Sequence, residues 1–248
     1  QEGELNSFLI RITSEIFQEA DDITDQSLVD MIKDSAQQKG TGRWTSMEAL
    51  KQGVDVSMIA AAGNARVMSN KETRKMANDH YPSLSIANIS NPEALIEDVR
   101  KGLYAAKIIA YAQGFDLLKQ ASIAYGWDLP LGNIASIFRA GCIIQAKFLN
   151  DITRAYERKE NLSHLLLDKI FEERVIAYEK ALRQIAAQAM LSGIPIPAMA
   201  NAISYLDLFT KDHVGANLIQ AQRDYFGAHT YERIDRRGSF HHEWGNKA

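Results

Sequence analysis

The sequence predicts an all-α protein, and three observations carry that expectation. Apolar residues recur at i, i+3/i+4 spacing along most of the chain, the period of one helix face. Alternating apolar–polar runs of strand length are almost absent. A helical unit also recurs within the chain.

Leu5, Phe8, Leu9, Ile12, Ile16 and Phe17 form the first amphipathic stripe. Asp21-Asp22-Ile23-Thr24-Asp25 breaks it, and Leu28-Val29 with Met31-Ile32 restart a short helix. Gly40, Gly42 and Gly53 punctuate the next region, with a helix expected between the last two. The alanine-rich run 57–68 reads as a tightly packed helix. Residues 81–91, with Pro82, are the clearest loop, and Pro92 stands where proline opens a helix. Apolar positions from Leu95 to Ala121 then sustain the longest helix. It is apolar around much of its circumference, so it belongs near the centre of the core. The stretch 216–231 begins as one or two helical turns. It continues with three aromatic rings, Arg223, His229 and Gly227, a mix suited to leaving its own core.

The repeat shows in three places. Phe8-Leu9-Ile10-Arg11-Ile12-Thr13 returns 140 positions later as Phe148-Leu149-Asn150-Asp151-Ile152-Thr153. Gly53-Val54-Asp55-Val56-Ser57 returns at the same offset as Gly193-Ile194-Pro195-Ile196-Pro197. Leu28-Val29-Asp30-Met31-Ile32 resembles Leu166-Leu167-Asp168-Lys169-Ile170 at an offset of 138. Three matches in order point to two copies, at about 1–80 and 92–212, followed by an extended tail at 213–248. The first copy lacks a counterpart of 92–141, so the natural chain is expected to continue upstream with at least one long helix.

Composition narrows the function classes. The chain has 248 residues, 46% hydrophobic and 24% charged, with a formal net charge of −3. That balance gives no reason to expect a nucleic-acid surface, and any anion site must be local. Cys142 is the single cysteine, which rules out an intrachain disulfide and suits a reducing cytosol. Its apolar neighbours, Ile143 and Ile144, suggest inert core. Lys107 and Gln113 interrupt the best candidate for a membrane span.

Lys39-Gly40-Thr41-Gly42-Arg43-Trp44-Thr45 is the most site-like stretch. Two glycines free backbone amides to face a ligand, Thr41 adds a hydroxyl, and Lys39 and Arg43 add positive charge. Phosphate or carboxylate needs that set. Neither a P-loop nor a dinucleotide fingerprint fits, since the preceding 30–38 is not an apolar strand. The competing reading is a helix C-cap glycine beside solvated cations. Arg66 in an otherwise apolar helix wants a planar anion, or lies at an exposed helix edge. Arg223 and His229 can serve an anion, or belong to an aromatic clamp that packs the tail. His241-His242-Glu243 lacks a third ligand at metal spacing and reads as solvated tail residues. No general base stands out.

The strings 34–45, Ala65-Arg66, Tyr111-Ala112-Gln113-Gly114-Phe115, Arg139-Ala140-Gly141-Cys142-Ile143-Ile144 and 217–231 together resemble the C-terminal part of the 6-phosphogluconate dehydrogenase family, over essentially the whole chain. The resemblance implies an all-helical domain with a duplicated unit, acting in NADP-dependent oxidative decarboxylation of 6-phosphogluconate to ribulose 5-phosphate and CO2, in the cytoplasmic pentose phosphate pathway. It implies that Lys39, Thr41 and Arg66 hold the substrate's phosphate end. It places Arg223 and His229 on a tail that crosses to the partner subunit of a homodimer and completes that subunit's site. The dinucleotide domain and the helix with the catalytic lysine and glutamate are expected upstream, so this chain alone should bind no cofactor and be inactive. No metal is required, because the 3-keto intermediate accepts the electrons through its own carbonyl. Lys107 reads as structural. Arg43 stands where the family commonly has lysine, and Gly63-Asn64 where bulkier apolar residues are usual. The alternative class is a non-catalytic helical dimer that kept the fold as a scaffold.

Overall fold

The computed structural model describes residues 3–82, 84–85 and 89–245. Residues 83 and 86–88 of the expected loop lie outside the described residues. Eleven α-helices run through the described residues, together with one short antiparallel hairpin. The chain divides into two compact units, Gln1–Tyr205 and Leu206–Ala248. The division falls inside a helix, before the boundary at 212 read from the sequence.

The first unit is organised by the helix expected to be central, α6 (Pro92–Tyr125). Its start is specified locally. The Asn91 side chain accepts a hydrogen bond from the Ala94 N–H, and Pro92 takes the first helical position, where an N–H would be unsatisfied anyway. Its end is Gly126 at φ 65°, the left-handed cap that costs glycine no Cβ clash. Eleven of its residues are buried, among them Tyr104, Ile108, Ile109 and Phe115. Helix α9 (Lys169–Leu191) packs along it. The approach is close enough that a Cβ on Gly102 would sit 3.0 Å from Leu182 Cα. Tyr104 and Phe171 meet Phe148 edge-on at ring-centre distances of 6.4 Å each. Helices α7 (Leu131–Ile137) and α8 (Leu149–Arg158) pack together, with Gly132 against Tyr156.

Helices α1 (Phe8–Ile16), α2 (Leu28–Met31), α3 (Thr41–Gln52) and α4 (Ser57–Ser69) precede α6. Helix α5 (Glu72–His80) was not anticipated, because its polar sequence carries little apolar stripe. The terminating geometry of α3 recurs 140 residues on. Gly53 and Gly193 have φ 68° and 69°. The Val54 N–H donates to Ala49 O at 2.9 Å, and the Ile194 N–H to Ala189 O at 2.8 Å.

The second unit begins within α10 (Pro197–Thr210) and holds α11 (Ala216–Gly227) and the hairpin β1 (Tyr231–Glu232) with β2 (Ser239–Phe240). The expected extended tail is therefore a three-turn helix and a hairpin. Its centre is Asp224, fully buried. The Thr230 N–H and His241 Nδ1 bond to one carboxylate oxygen at 3.0 and 2.9 Å. The His242 N–H and Trp244 Nε1 donate to the other at 3.0 and 2.8 Å. Burial alone would raise the carboxyl's pKa. The bonds from His241, His242, Trp244 and Thr230 outweigh it and hold the group far below the usual range. His241, His242 and Glu243 are exposed, as the solvated reading expects, yet the first two also bond to Asp224. They close onto a carboxylate 17 and 18 residues earlier, a pairing that linear spacing does not reveal.

Candidate functional site

The path from 34 to 45 is set by hydrogen bonds to the end of α4. Ser35 Oγ donates to Asn70 Oδ1 at 2.6 Å, and the Ala36 N–H to Ser69 Oγ at 3.0 Å. Asn70 Nδ2 donates to Ala36 O and Arg66 O at 2.6 and 2.8 Å. Arg74 grips Asp34 at both its carboxylate and its carbonyl. These bonds lay Gln38 beside the last turn of α4. There it lines a hollow of about 360 Å³ with Arg66, Val67, Asn70 and Lys71. Lys39 follows Gln38 directly, and Thr41 is the first residue of α3.

The glycine-rich stretch is thus a helix start. Gly40 is the N-cap of α3 at φ 103°, a conformation that needs glycine, and Gly42 lies inside the helix. This corrects both the loop reading and the C-cap alternative. The cap residue has no side chain to occupy the first amides of α3, so this helix N-terminus carries no side-chain cap. Helix α3 is fixed at its far end as well. Lys51 Nζ donates to Tyr125 Oη at 2.5 Å, and Tyr125 Oη to Glu48 Oε1 at 2.7 Å. The bonds from Gln52 and Tyr125 keep the Glu48 carboxyl below its ordinary pKa.

Helix α4, which carries Arg66, is aimed by Gln113. This fully buried side chain accepts the Met58 N–H at 3.1 Å and donates to Ser57 Oγ at 3.0 Å. In the sequence Gln113 stands out as an interruption of an apolar run and as part of the string 111–115, with no structural role attached. The signal was there, because a buried amide must find partners and the nearest helix start supplies them. Asn70 was missed for a different reason: its role depends on a segment 34 residues away.

In the second unit, Arg223 and His229 are exposed. Arg223 Nη1 donates to Gln220 Oε1 at 3.4 Å, and Gln220 Nε2 donates to Thr230 O at 2.6 Å, so one glutamine links the arginine to the turn after His229. The imidazole stands edge-on to Phe226 at 5.9 Å. The turn is tight. Ala228 and Thr230 have φ 49° and 60°, and a Cβ on Gly227 would come 2.7 Å from His229 Nε2. Rings pack this stretch locally, and the Arg223 and His229 side chains remain exposed.

Lys107 is buried at its tip, with no hydrogen-bond partner for Nζ among the described residues. It rests 5.2 Å from the centre of the Phe148 ring. Burial brings its pKa down to about 8. Cys142 is half-buried between exposed neighbours, which corrects its placement in the core.

A family model described as the C-terminal domain of 6-phosphogluconate dehydrogenase matches residues 1–244. The chain belongs to this family. A Bacillus subtilis relative named 6-phosphogluconate dehydrogenase, NADP(+)-dependent, decarboxylating is 50% identical over 98% of this chain and 52% of the relative. A second Bacillus subtilis relative, the NAD(+)-dependent decarboxylating form, is 46% identical over 98% of this chain and 52% of its own length. The fold also matches a solved Plasmodium falciparum 6-phosphogluconate dehydrogenase at a TM-score of 0.94 and 44% identity, over 98% of this chain and 53% of that one. That protein was solved in apo form, with its cofactor NADP+ and with its substrate 6-phosphogluconate. The chain spans about half the length of the curated relatives it matches.

No nucleotide-binding βαβ unit is present among the described residues. Their one sheet is the hairpin of two-residue strands, and Gly40 and Gly42 follow a segment that is not a strand. Among the described residues, no group of three or more His, Cys, Asp or Glu side chains is arranged to hold a metal. No helix among them is long and apolar enough to cross a membrane.

Proposed function

We propose that this chain forms the substrate-phosphate and subunit-contact half of a cytoplasmic 6-phosphogluconate dehydrogenase. The whole enzyme oxidises and decarboxylates 6-phosphogluconate to ribulose 5-phosphate and CO2 with NADP, held by residues outside this chain. The observation that carries the reading is the match over 1–244 combined with the lashing of 34–38 to the end of α4, next to Arg66. In this reading Arg66 and Lys39 take the phosphate by charge-assisted hydrogen bonds, and Thr41 adds its hydroxyl at the open start of α3. A phosphate held there sets the position of the reacting carbon at the other end of the sugar acid. Arg223 and His229 complete the same pocket from the partner subunit of a homodimer.

Steady-state kinetics of the intact protein test the phosphate role. Arg66→Met should raise KM for 6-phosphogluconate by roughly tenfold to a hundredfold, the loss expected for a charged hydrogen bond. An unchanged KM overturns it. Mixed dimers of Arg66→Met and Arg223→Ala subunits test the crossing tail. With a crossing tail, one site of each mixed dimer carries both substitutions and the other none, so random mixing restores about a quarter of wild-type activity. With a tail that serves its own subunit, the mixture stays as inactive as the single variants. Parallel assays with NADP and NAD settle the cofactor.

A further inference from the structure

A second hollow lies between the start of α1 and the segment leading into α8, with a volume of about 320 Å³. It shares no lining residue with the hollow around Arg66. Three cations line it, Arg11, Arg139 and Lys147, beside the polar side chains of Asn6, Ser7 and Asn150. No aspartate or glutamate is among its lining residues. Its walls are held together by backbone pairing. Phe8 N–H donates to Gln145 O at 3.1 Å and Lys147 N–H to Asn6 O at 3.0 Å, around an antiparallel bridge of Ser7 with Ala146.

The cations differ in how far they are already engaged. Arg11 is paired with Glu15 at 2.9 Å, outside the hollow, and contributes least. Arg139 is oriented by two bonds, Nε to Ser136 O at 3.1 Å and Nη1 to Asn150 Oδ1 at 3.0 Å. Three of its five N–H donors are left for another acceptor. Neither Arg139 nor Lys147 has a carboxylate partner among the described residues. A guanidinium steered by neutral acceptors, a lysine and the amides of Asn6, Gln145 and Asn150 around one hollow match the charge and donor needs of a phosphoryl dianion. The sequence had singled out the string beginning at Arg139, and the proposed reaction gives it no part.

We propose that this hollow binds a phosphoryl group, separately from the pocket around Arg66. The volume admits either inorganic phosphate or the phosphate end of a small phosphorylated molecule. The inference does not depend on the proposed substrate site.

The test uses the intact protein in an Arg66→Met background, which weakens the substrate pocket, and assigns to this hollow the phosphate binding that Arg139→Met and Lys147→Met remove. Calorimetric titration with inorganic phosphate should show binding at millimolar concentration or tighter. Adding Arg139→Met and Lys147→Met should weaken it by roughly tenfold or more. The charge-keeping pair Arg139→Lys and Lys147→Arg should retain most of it, which separates lost charge from lost folding. A sugar phosphate other than 6-phosphogluconate that binds at least tenfold tighter than inorganic phosphate, and loses that binding in the methionine pair, identifies a phosphorylated metabolite as the occupant. Equal affinity identifies free phosphate, and both results support the site. Absence of phosphate binding in the Arg66→Met protein overturns it, as does binding that the methionine pair leaves unchanged.

Discussion

Two stretches of this chain begin with nearly the same residues and end in opposite surroundings. Phe8 opens α1 and Phe148 precedes α8, each with a cation over its ring, Arg11 at 5.3 Å and Lys107 at 5.2 Å. Helix α1 has no buried residue, whereas α8 buries Leu149, Ile152, Ala155 and Tyr156. Phe148 is 2% exposed, while Leu9 on α1 is 47% exposed and Phe17 just after it is 68% exposed. Arg11 reaches water and a glutamate; Lys107 Nζ is sealed in with no hydrogen-bond partner among the described residues. The difference comes from neighbours: Phe148 packs against α6 through Tyr104 and Tyr111, and α8 lies along α7. A local pattern makes a helix, and a neighbour decides what that helix is worth.

The largest expected contrast is in the rings themselves. Phe148→Ala should cost about 3–5 kcal/mol, the range for deleting a buried aromatic side chain, and Phe8→Ala about 1 kcal/mol or less. Urea unfolding of the two variants checks this, and equal losses would dissolve the comparison. Next comes the buried amine. Lys107 titrates near 8 in the fold and near its ordinary value of 10.5 when unfolded. Between those values the unfolded chain binds more protons, so stability rises with pH across that window. Lys107→Met should flatten the rise and stabilise the protein at pH 7 by on the order of 1–2 kcal/mol, allowing for solvent screening. A variant that keeps the same pH slope as wild type would assign the slope to another group. The smallest contrast concerns the caps. Gly53→Ala and Gly193→Ala should each cost about 1 kcal/mol, because both positions hold left-handed backbone. The second should cost slightly more, since its new Cβ would meet Leu84 Cβ at 3.3 Å. Thermal unfolding of both variants reads the difference.

Different physics holds the two compact units. The first relies on apolar side chains around α6, and the second gathers its hairpin and terminal aromatics around one ionised carboxylate. The first kind of order is visible in a sequence, because burial of a helix leaves a periodic stripe. The second leaves no stripe. Asp224 reads as an ordinary polar helix residue until the chain beyond residue 240 folds back upon it. The same contrast separates the candidate site residues. Lys39, Thr41 and Arg66 were legible from glycine spacing, charge and a lone arginine in an apolar run. Their supports, Asn70 and Gln113, were legible only as unexplained polar residues, since each acts on backbone dozens of residues away.

By itself the sequence determined the all-α class and the long central helix with its asparagine, proline and glycine signals. Those follow from interactions spanning one or two helical turns. Only the tertiary structure decided that the 39–45 stretch is a helix start, that 241 and 242 close on a buried aspartate, and which member of each matched pair of segments lies in the core. Those outcomes depend on contacts between residues far apart in the chain, which local periodicity does not encode.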